Sequence, residues 1–169
     1  MSARQFIVDS LDFARNAREL RGVARVADLP RLLDMLAAAA GEINFVVRGY
    51  QDRHGKPMLE LALTGQCQLR CQRCLQGLDY PVQMVSHLLL VRADELDESA
   101  VEEDGIDSIL ADTSLNLLDL LEEELLLSMP FAPRHPPGVC QPTMAGHAVD
   151  ESEQVAKKPF AALSELKNK

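Results

Sequence analysis

Leu59-Glu60-Leu61-Ala62-Leu63-Thr64-Gly65-Gln66-Cys67-Gln68-Leu69-Arg70-Cys71-Gln72 is the stretch on which the fold turns. Leu59, Leu61, Leu63, Cys67, Leu69 and Cys71 hold odd positions, while Glu60, Thr64, Gln66, Gln68, Arg70 and Gln72 hold even ones. That two-residue alternation describes a strand with one buried and one wet face. Gly65 interrupts the apolar set and is expected to mark a bulge or a bend. On the N-terminal side Ile43, Phe45 and Val47 alternate with Asn44 and Arg48, and Asp52–Gly55 supply a turn, so the two runs form a hairpin. On the C-terminal side Tyr80–Val91 carries Val82, Met84, Leu88 and Leu90 on one parity and returns antiparallel through a short connection. Together the runs predict a meander.

Helical spacing flanks the strands. Asp28–Ala40 is expected to be a helix, with Asp28 capping it, Pro30 in its first turn, Gly41 closing it, and Leu29, Leu32, Leu33, Leu36 and Ala40 on one face. A second helix begins after Asn116, a plausible cap, with Asp119 three residues on, and Pro130 stops it just beyond Leu127. Leu117, Leu118, Leu121 and Leu125 line its expected buried side, and Asp119, Glu122 and Glu123 its wet side. Asp94–Asp107 reads as loop with one helical turn. From Phe131 to Lys158 the composition turns to Pro, Gly, His and polar residues, a linker or a metal loop. Phe160, Leu163 and Leu166 form a short stripe, marginal alone, that needs a partner in this chain or another. The expected fold class is α+β: an antiparallel meander sheet packed with two main helices, a Pro-rich late loop and a short C-terminal helical tail. Its expected divisions are a core domain over 1–130, a linker or metal loop over 131–158 and a docking tail over 159–169.

The chain has 169 residues, 47% hydrophobic and 25% charged, which suits one globular domain with appendages. At that size a chain buries roughly 68–70% of its unfolded surface, so disulfide staples are not required. Its longest apolar run, Met35–Ala40, is far shorter than the ~20 residues of a membrane span, and the start carries no apolar signal segment. A cytoplasmic protein without a membrane partner is expected. The net charge of −9 is segregated: residues 94–124 hold 13 acidic and no basic residues, whereas residues 1–93 hold 12 Lys/Arg against 9 Asp/Glu. A block of this kind repels phosphate and favours a basic protein partner or a solvated surface. With no Trp, two Tyr and five Phe, a stacking platform for single-stranded bases has little support. Arg48, Arg70, Arg73 and Arg92 can share the wet face of the sheet, and Lys157, Lys158, Lys167 and Lys169 cluster at the tail, far short of a dedicated nucleic-acid module.

Four cysteines in a reducing compartment read as thiols or metal ligands. Cys67, Cys71 and Cys74 spell C-x3-C-x2-C, a spacing that resembles the radical-SAM iron–sulfur enzymes. No repeated β-α units follow residue 74, however, and strand parity puts Cys67 beside Leu69 as a small hydrophobe. A zinc site built on Cys71-Gln72-Arg73-Cys74 needs two further Cys or His ligands; Cys140 is the third, with His135 or His147 nearby. Thioredoxin-like chemistry places its C-x-x-C at a helix start, whereas this pair sits in a strand-end turn. Reduced, metal-free thiols stay open, and His54 and His87 are assigned no role.

Cys71-Gln72-Arg73-Cys74-Leu75, the helix ending Glu124-Leu125-Leu126-Leu127-Ser128-Met129-Pro130, the Pro133-x-His135 and Cys140 segment, and Pro159-Phe160-Ala161-Ala162-Leu163 followed by Leu166-Lys167 together resemble the bacterial YceD family, the large ribosomal RNA subunit accumulation proteins. Gly22 and Asp28-Leu29-Pro30-Arg31 resemble it as well. The resemblance implies a non-catalytic role in synthesis, processing or stability of large-subunit (23S) rRNA, with no catalytic residues to carry over. Some relatives have a second C-x-x-C in the late loop; here Cys140 stands alone there. The expected role is an acidic adaptor: residues 94–107 contact a basic ribosomal protein while the tail docks elsewhere on the rRNA precursor. The competing binding mode is direct rRNA contact through Arg70 and Arg73. The alternative class is a small zinc or iron–sulfur/redox protein using Cys67, Cys71 and Cys74. No Ser-His-Asp grouping, phosphate-binding glycine loop or close carboxylate pair on an apolar background is visible, so neither an enzyme nor a small-molecule substrate is expected.

Overall fold

The computed structural model describes residues 6–93 and 106–140. The predicted strands are present and longer than their apolar runs: β4 (Glu42–Gln51), β5 (Pro57–Arg70) and β6 (Gly77–Val91). They pair antiparallel in sequence order, with Phe45 opposite Leu63 and Leu63 opposite Met84. Leu59, Leu61 and Leu63 are fully buried, as parity requires, and share one apolar cluster with Phe45, Leu88 and Leu90. Each such side chain contributes about 1.5–3 kcal/mol of burial. The outer strands are β2 (Glu19–Arg25), antiparallel to β4, and β7 (Asp107–Leu110), parallel to β6. The sheet is therefore mostly antiparallel with one parallel edge. A separate two-stranded pair joins β1 (Ile7–Val8) to β8 (Leu115–Asn116). Among the described residues no helix is long and apolar enough to cross a membrane.

Two helices complete the α+β fold: α1 (Ser10–Arg15) and α2 (Leu117–Ser128). Asn116 caps α2 as expected, its side-chain oxygen accepting from Leu118 N at 3.1 Å. Helix α1 was not legible: one and a half turns, started by Asp9 Oδ1 accepting from Asp12 N at 2.9 Å, are too few for a periodic signal. Strand β2 is equally faint because its inward positions include Gly22 and Ala24; a Cβ on Gly22 would lie 2.5 Å from the Phe45 ring.

The helix expected over Asp28–Ala40 does not form. In its place are 3₁₀ turns at Val26–Asp28 and Leu33–Met35 and a short strand β3 (Leu36–Ala38) paired with the end of β5. Strand β4 covers β5 only as far as Gly65, so the backbone beyond needs another partner, and Leu36 opposite Leu69 supplies it. Burial then follows steps of three, Leu29 to Leu32, while Leu33 stays exposed. Asp28 caps nothing here; it pairs with Arg25 at 2.8 Å.

The Glu122 side chain, expected on the wet face of α2, is 3% exposed. Its Oε1 accepts from Arg31 N at 2.6 Å and from Leu32 N at 3.3 Å. A carboxylate on α2 thus satisfies Arg31 N, a donor that the first turn of a helix capped at Asp28 would also have left without an internal partner, and gives Leu32 N a second acceptor beside Leu29 O. Gly65 makes no bulge, since the register runs unshifted through Ile43 opposite Gly65 and Gly65 opposite Val82. It is glycine because a Cβ there would lie 2.4 Å from the Glu42 carbonyl oxygen. Residues 94–105, the greater part of the acidic loop, and the tail Phe160, Leu163 and Leu166 lie outside the described residues.

Candidate metal centre

The connection from β5 to β6 is the C-x-x-C turn. Cys71 N donates to Gln76 O and Leu75 N to Cys71 O, both at 2.9 Å, which folds the six residues back so that β6 can start at Gly77. Cys71 and Cys74 then point to one side and are buried. The late loop comes to the same side. Gln72 N donates to Pro133 O at 2.8 Å, and His135 Nε2 lies 2.9 Å from Gly77 O. A carbonyl only accepts, so Nε2 carries a proton and Nδ1 is the nitrogen that faces the cysteines, the atom that would ligate a cation from the neutral ring. A turn closed by Val139 N donating to Pro136 O, with Gly138 at φ +87°, delivers Cys140.

The ligand atoms of Cys71, Cys74, His135 and Cys140 all lie within 4.8 Å of one another. Cys71 Sγ is 3.7 Å from Cys140 Sγ, and Cys74 Sγ is 3.5 Å from His135 Nδ1. A tetrahedral ion with metal–sulfur bonds near about 2.3 Å and metal–nitrogen bonds near about 2.0–2.1 Å has edges of about 3.8 and 3.5–3.6 Å. These two separations match two of that tetrahedron's six edges, and the sulfur–sulfur distance far exceeds a disulfide's ~2.05 Å. The donor set suits zinc: three sulfurs, one imidazole whose far N–H is fixed on a carbonyl, and a buried setting.

Electrostatics agree with a cation at the centre. Burial pushes the Cys71 thiol up, but N–H donors of Cys74, His135 and Arg73 and the His135 ring outweigh it and bring it down to about 5. Cys140 is likewise raised by burial and lowered further by Arg73, whose Nε donates to Cys140 Sγ at 3.0 Å and Nη2 to Cys140 O at 2.6 Å. The Cys74 thiol is held up: a donor at Gln76 favours its thiolate, but burial and the neighbouring Cys140 and Cys71 oppose it more strongly. The thiolates of Cys140 and Cys71 raise His135 in turn. Two of the three thiols are thus lowered and the third is raised by its neighbours, and a cation among them would favour the thiolate of all three.

Cys67 stands apart. Four residues up β5 from Cys71, roughly 13 Å along a strand, it belongs to the main apolar cluster, and burial raises its thiol. The triplet Cys67, Cys71 and Cys74 is therefore not gathered around one point. Arg70 and Arg73 are both engaged within the chain, Arg70 Nη2 with Leu36 O at 3.1 Å and Arg73 with Cys140. Arg73 as a thiolate partner was missed by sequence reasoning, although its place between the two cysteines was a signal. His147 lies outside the described residues. His87 accompanies Tyr50, 3.1 Å from its hydroxyl, in a shallow groove where Arg48 bridges Glu19 and Glu60; those groups satisfy one another.

A family model described as large ribosomal RNA subunit accumulation protein YceD matches residues 59–167. That span contains nearly all of β5, the cysteine turn, β6, α2 and the late loop with its His135 and Cys140. No solved structure matches the chain.

Proposed function

The chain belongs to the YceD family of large ribosomal RNA subunit accumulation proteins, and on that premise we propose that it is a non-catalytic ribosome biogenesis factor of the cytoplasm. It acts in synthesis, processing or stability of 23S rRNA as an acidic adaptor that engages ribosomal proteins on the large-subunit precursor. The observation that carries this reading is the family match, which takes in every element that builds the metal centre. Charge supports the adaptor over bare RNA contact: residues 94–124 hold 13 acidic and no basic residues, and apart from the buried Glu122 and Glu124 such a block suits a basic protein and repels phosphate. Arg70 and Arg73, the arginines nominated for RNA, already hydrogen-bond Leu36 O and Cys140.

Within this role Cys71, Cys74, His135 and Cys140 hold one zinc ion. Four protein ligands close a tetrahedral shell and leave no position for substrate, so the ion serves structure. It clips residues 131–140 to the β5–β6 turn, where the chain's own bonds are few: Gln72 to Pro133, His135 to Gly77, and Arg73 to Cys140. Gradient fractionation of cell extract tests the adaptor role. The chain is expected to sediment with large-subunit precursors and to move to the top of the gradient when the acidic residues of 94–107 are neutralised. Sedimentation only as a free protein at low salt would overturn the role. Steeply salt-dependent binding to naked 23S rRNA that is lost on Arg70→Ala would replace it with direct RNA contact.

A further inference from the structure

Around the cysteine turn the molecule shows large apolar side chains that its core does not use. Leu75, directly after Cys74, is 67% exposed; Phe131 is fully exposed and Val139 is 68% exposed. Leu75 also has φ +61°. The turn needs a left-handed residue there, a conformation open to Gly or Asn and sterically costly for a leucine. Its leucine is thus paid for in strain and gains nothing from packing. Such an outlier points to a task outside the turn itself.

Phe131 and Val139 are tethered to the same place. Phe131 stands two residues before Pro133, whose carbonyl accepts from Gln72 N, and Val139 precedes Cys140, whose sulfur is 3.7 Å from that of Cys71. The described chain also leaves from here, at Cys140. Residues 141–169 follow, with one apolar stripe, Phe160, Leu163 and Leu166. The length of chain over 141–159 is ample to reach back to that origin, since a random coil of that many residues spans on the order of 25 Å root-mean-square. At that tether length the stripe meets the patch at an effective concentration of about millimolar, so weak intrinsic affinity is enough. The family match runs to residue 167, just past Leu166, so stripe and patch belong to one matched unit.

We propose that residues 159–166 dock in cis, with Phe160, Leu163 and Leu166 covering the patch of Leu75, Phe131 and Val139 beside the cysteine turn. This gives the tail a partner in its own chain, instead of the separate site on a precursor that its sequence suggested. The inference rests on exposure, backbone conformation and chain path, and holds whether or not the adaptor role does.

The chain has no tryptophan, so Phe160→Trp in the full-length protein installs a single reporter. Its emission is expected to be blue-shifted and poorly quenched by acrylamide, equally so after hundredfold dilution. Adding Leu75→Asp, or Phe131→Asp outside the turn, should shift it to the red and raise the quenching constant several-fold, with circular dichroism unchanged. A solvent-exposed tryptophan in the single variant would overturn the proposal. So would a buried one indifferent to both aspartates, or one released by dilution, which would indicate a second copy as the occupant.

Discussion

Glu122→Ala should be among the most damaging single changes on α2, although sequence patterning places this glutamate in water. The side chain is 3% exposed and accepts from Arg31 N at 2.6 Å and Leu32 N at 3.3 Å, residues about ninety positions away in the chain. Removing the carboxylate leaves the partly buried Arg31 amide without its 2.6 Å acceptor, whereas the Leu32 amide keeps its bond to Leu29 O at 3.2 Å. A hydrogen bond to a charged group is worth about 1.5–3 kcal/mol, and that one bond to Arg31 N sets the expected loss. Glu122→Gln keeps an acceptor of the same shape and gives up only its charge, for about 1 kcal/mol. With a urea slope of about 2 kcal/mol per molar, the alanine variant's midpoint falls by about 0.8–1.5 M and the glutamine variant's by about 0.5 M. Equilibrium urea unfolding followed by circular dichroism reads both. If alanine and glutamine shift the midpoint equally, or alanine shifts it by less than about 0.3 M, the bond from α2 to the 29–32 segment does not hold that segment, and the reasoning fails.

Other changes probe other parts of the structure. Gly65→Ala would put a Cβ 2.4 Å from the Glu42 carbonyl, and thermal melting should show a loss of about 1–3 kcal/mol, as for overpacking elsewhere. Asn116→Ala removes the cap on Leu118 N and should cost about 1 kcal/mol by the same assay. Arg73→Ala deletes the donor to Cys140 sulfur; competition with a zinc chelator should show affinity weaker by about 10–100-fold, with Arg73→Lys in between.

How far the sequence could be read depended on whether the deciding contacts were local. Strand β5 was legible because Leu59 to Leu69 alternate over many residues, and a sheet with one wet face demands that pattern. The same logic found the cap at Asn116. It failed over 28–40, where leucine spacing suits an α-helix or a pair of 3₁₀ turns, and the choice was made by two distant groups: the unpaired end of β5 and the Glu122 carboxylate. Strand β7 was hidden because its four residues acquire strand character only by lying parallel to Leu88–Val91. At the metal centre the residue types were readable and the assembly was not. Cys71 and Cys74 announce themselves by spacing, but the choice of His135 as fourth member depends on its far nitrogen reaching Gly77 O across the fold. The same geometry separates Cys67 from its neighbours in sequence, since strand pitch carries it up into the apolar core.

Native mass spectrometry of the full-length chain, purified without added metal, tests the account most directly. The four gathered side chains predict one zinc ion per chain in the wild-type protein and none after Cys71→Ser with Cys74→Ser. A wild-type mass equal to the bare polypeptide, or lighter by the two hydrogen atoms that an oxidant such as dissolved oxygen removes in forming a Cys71–Cys140 disulfide, would contradict it.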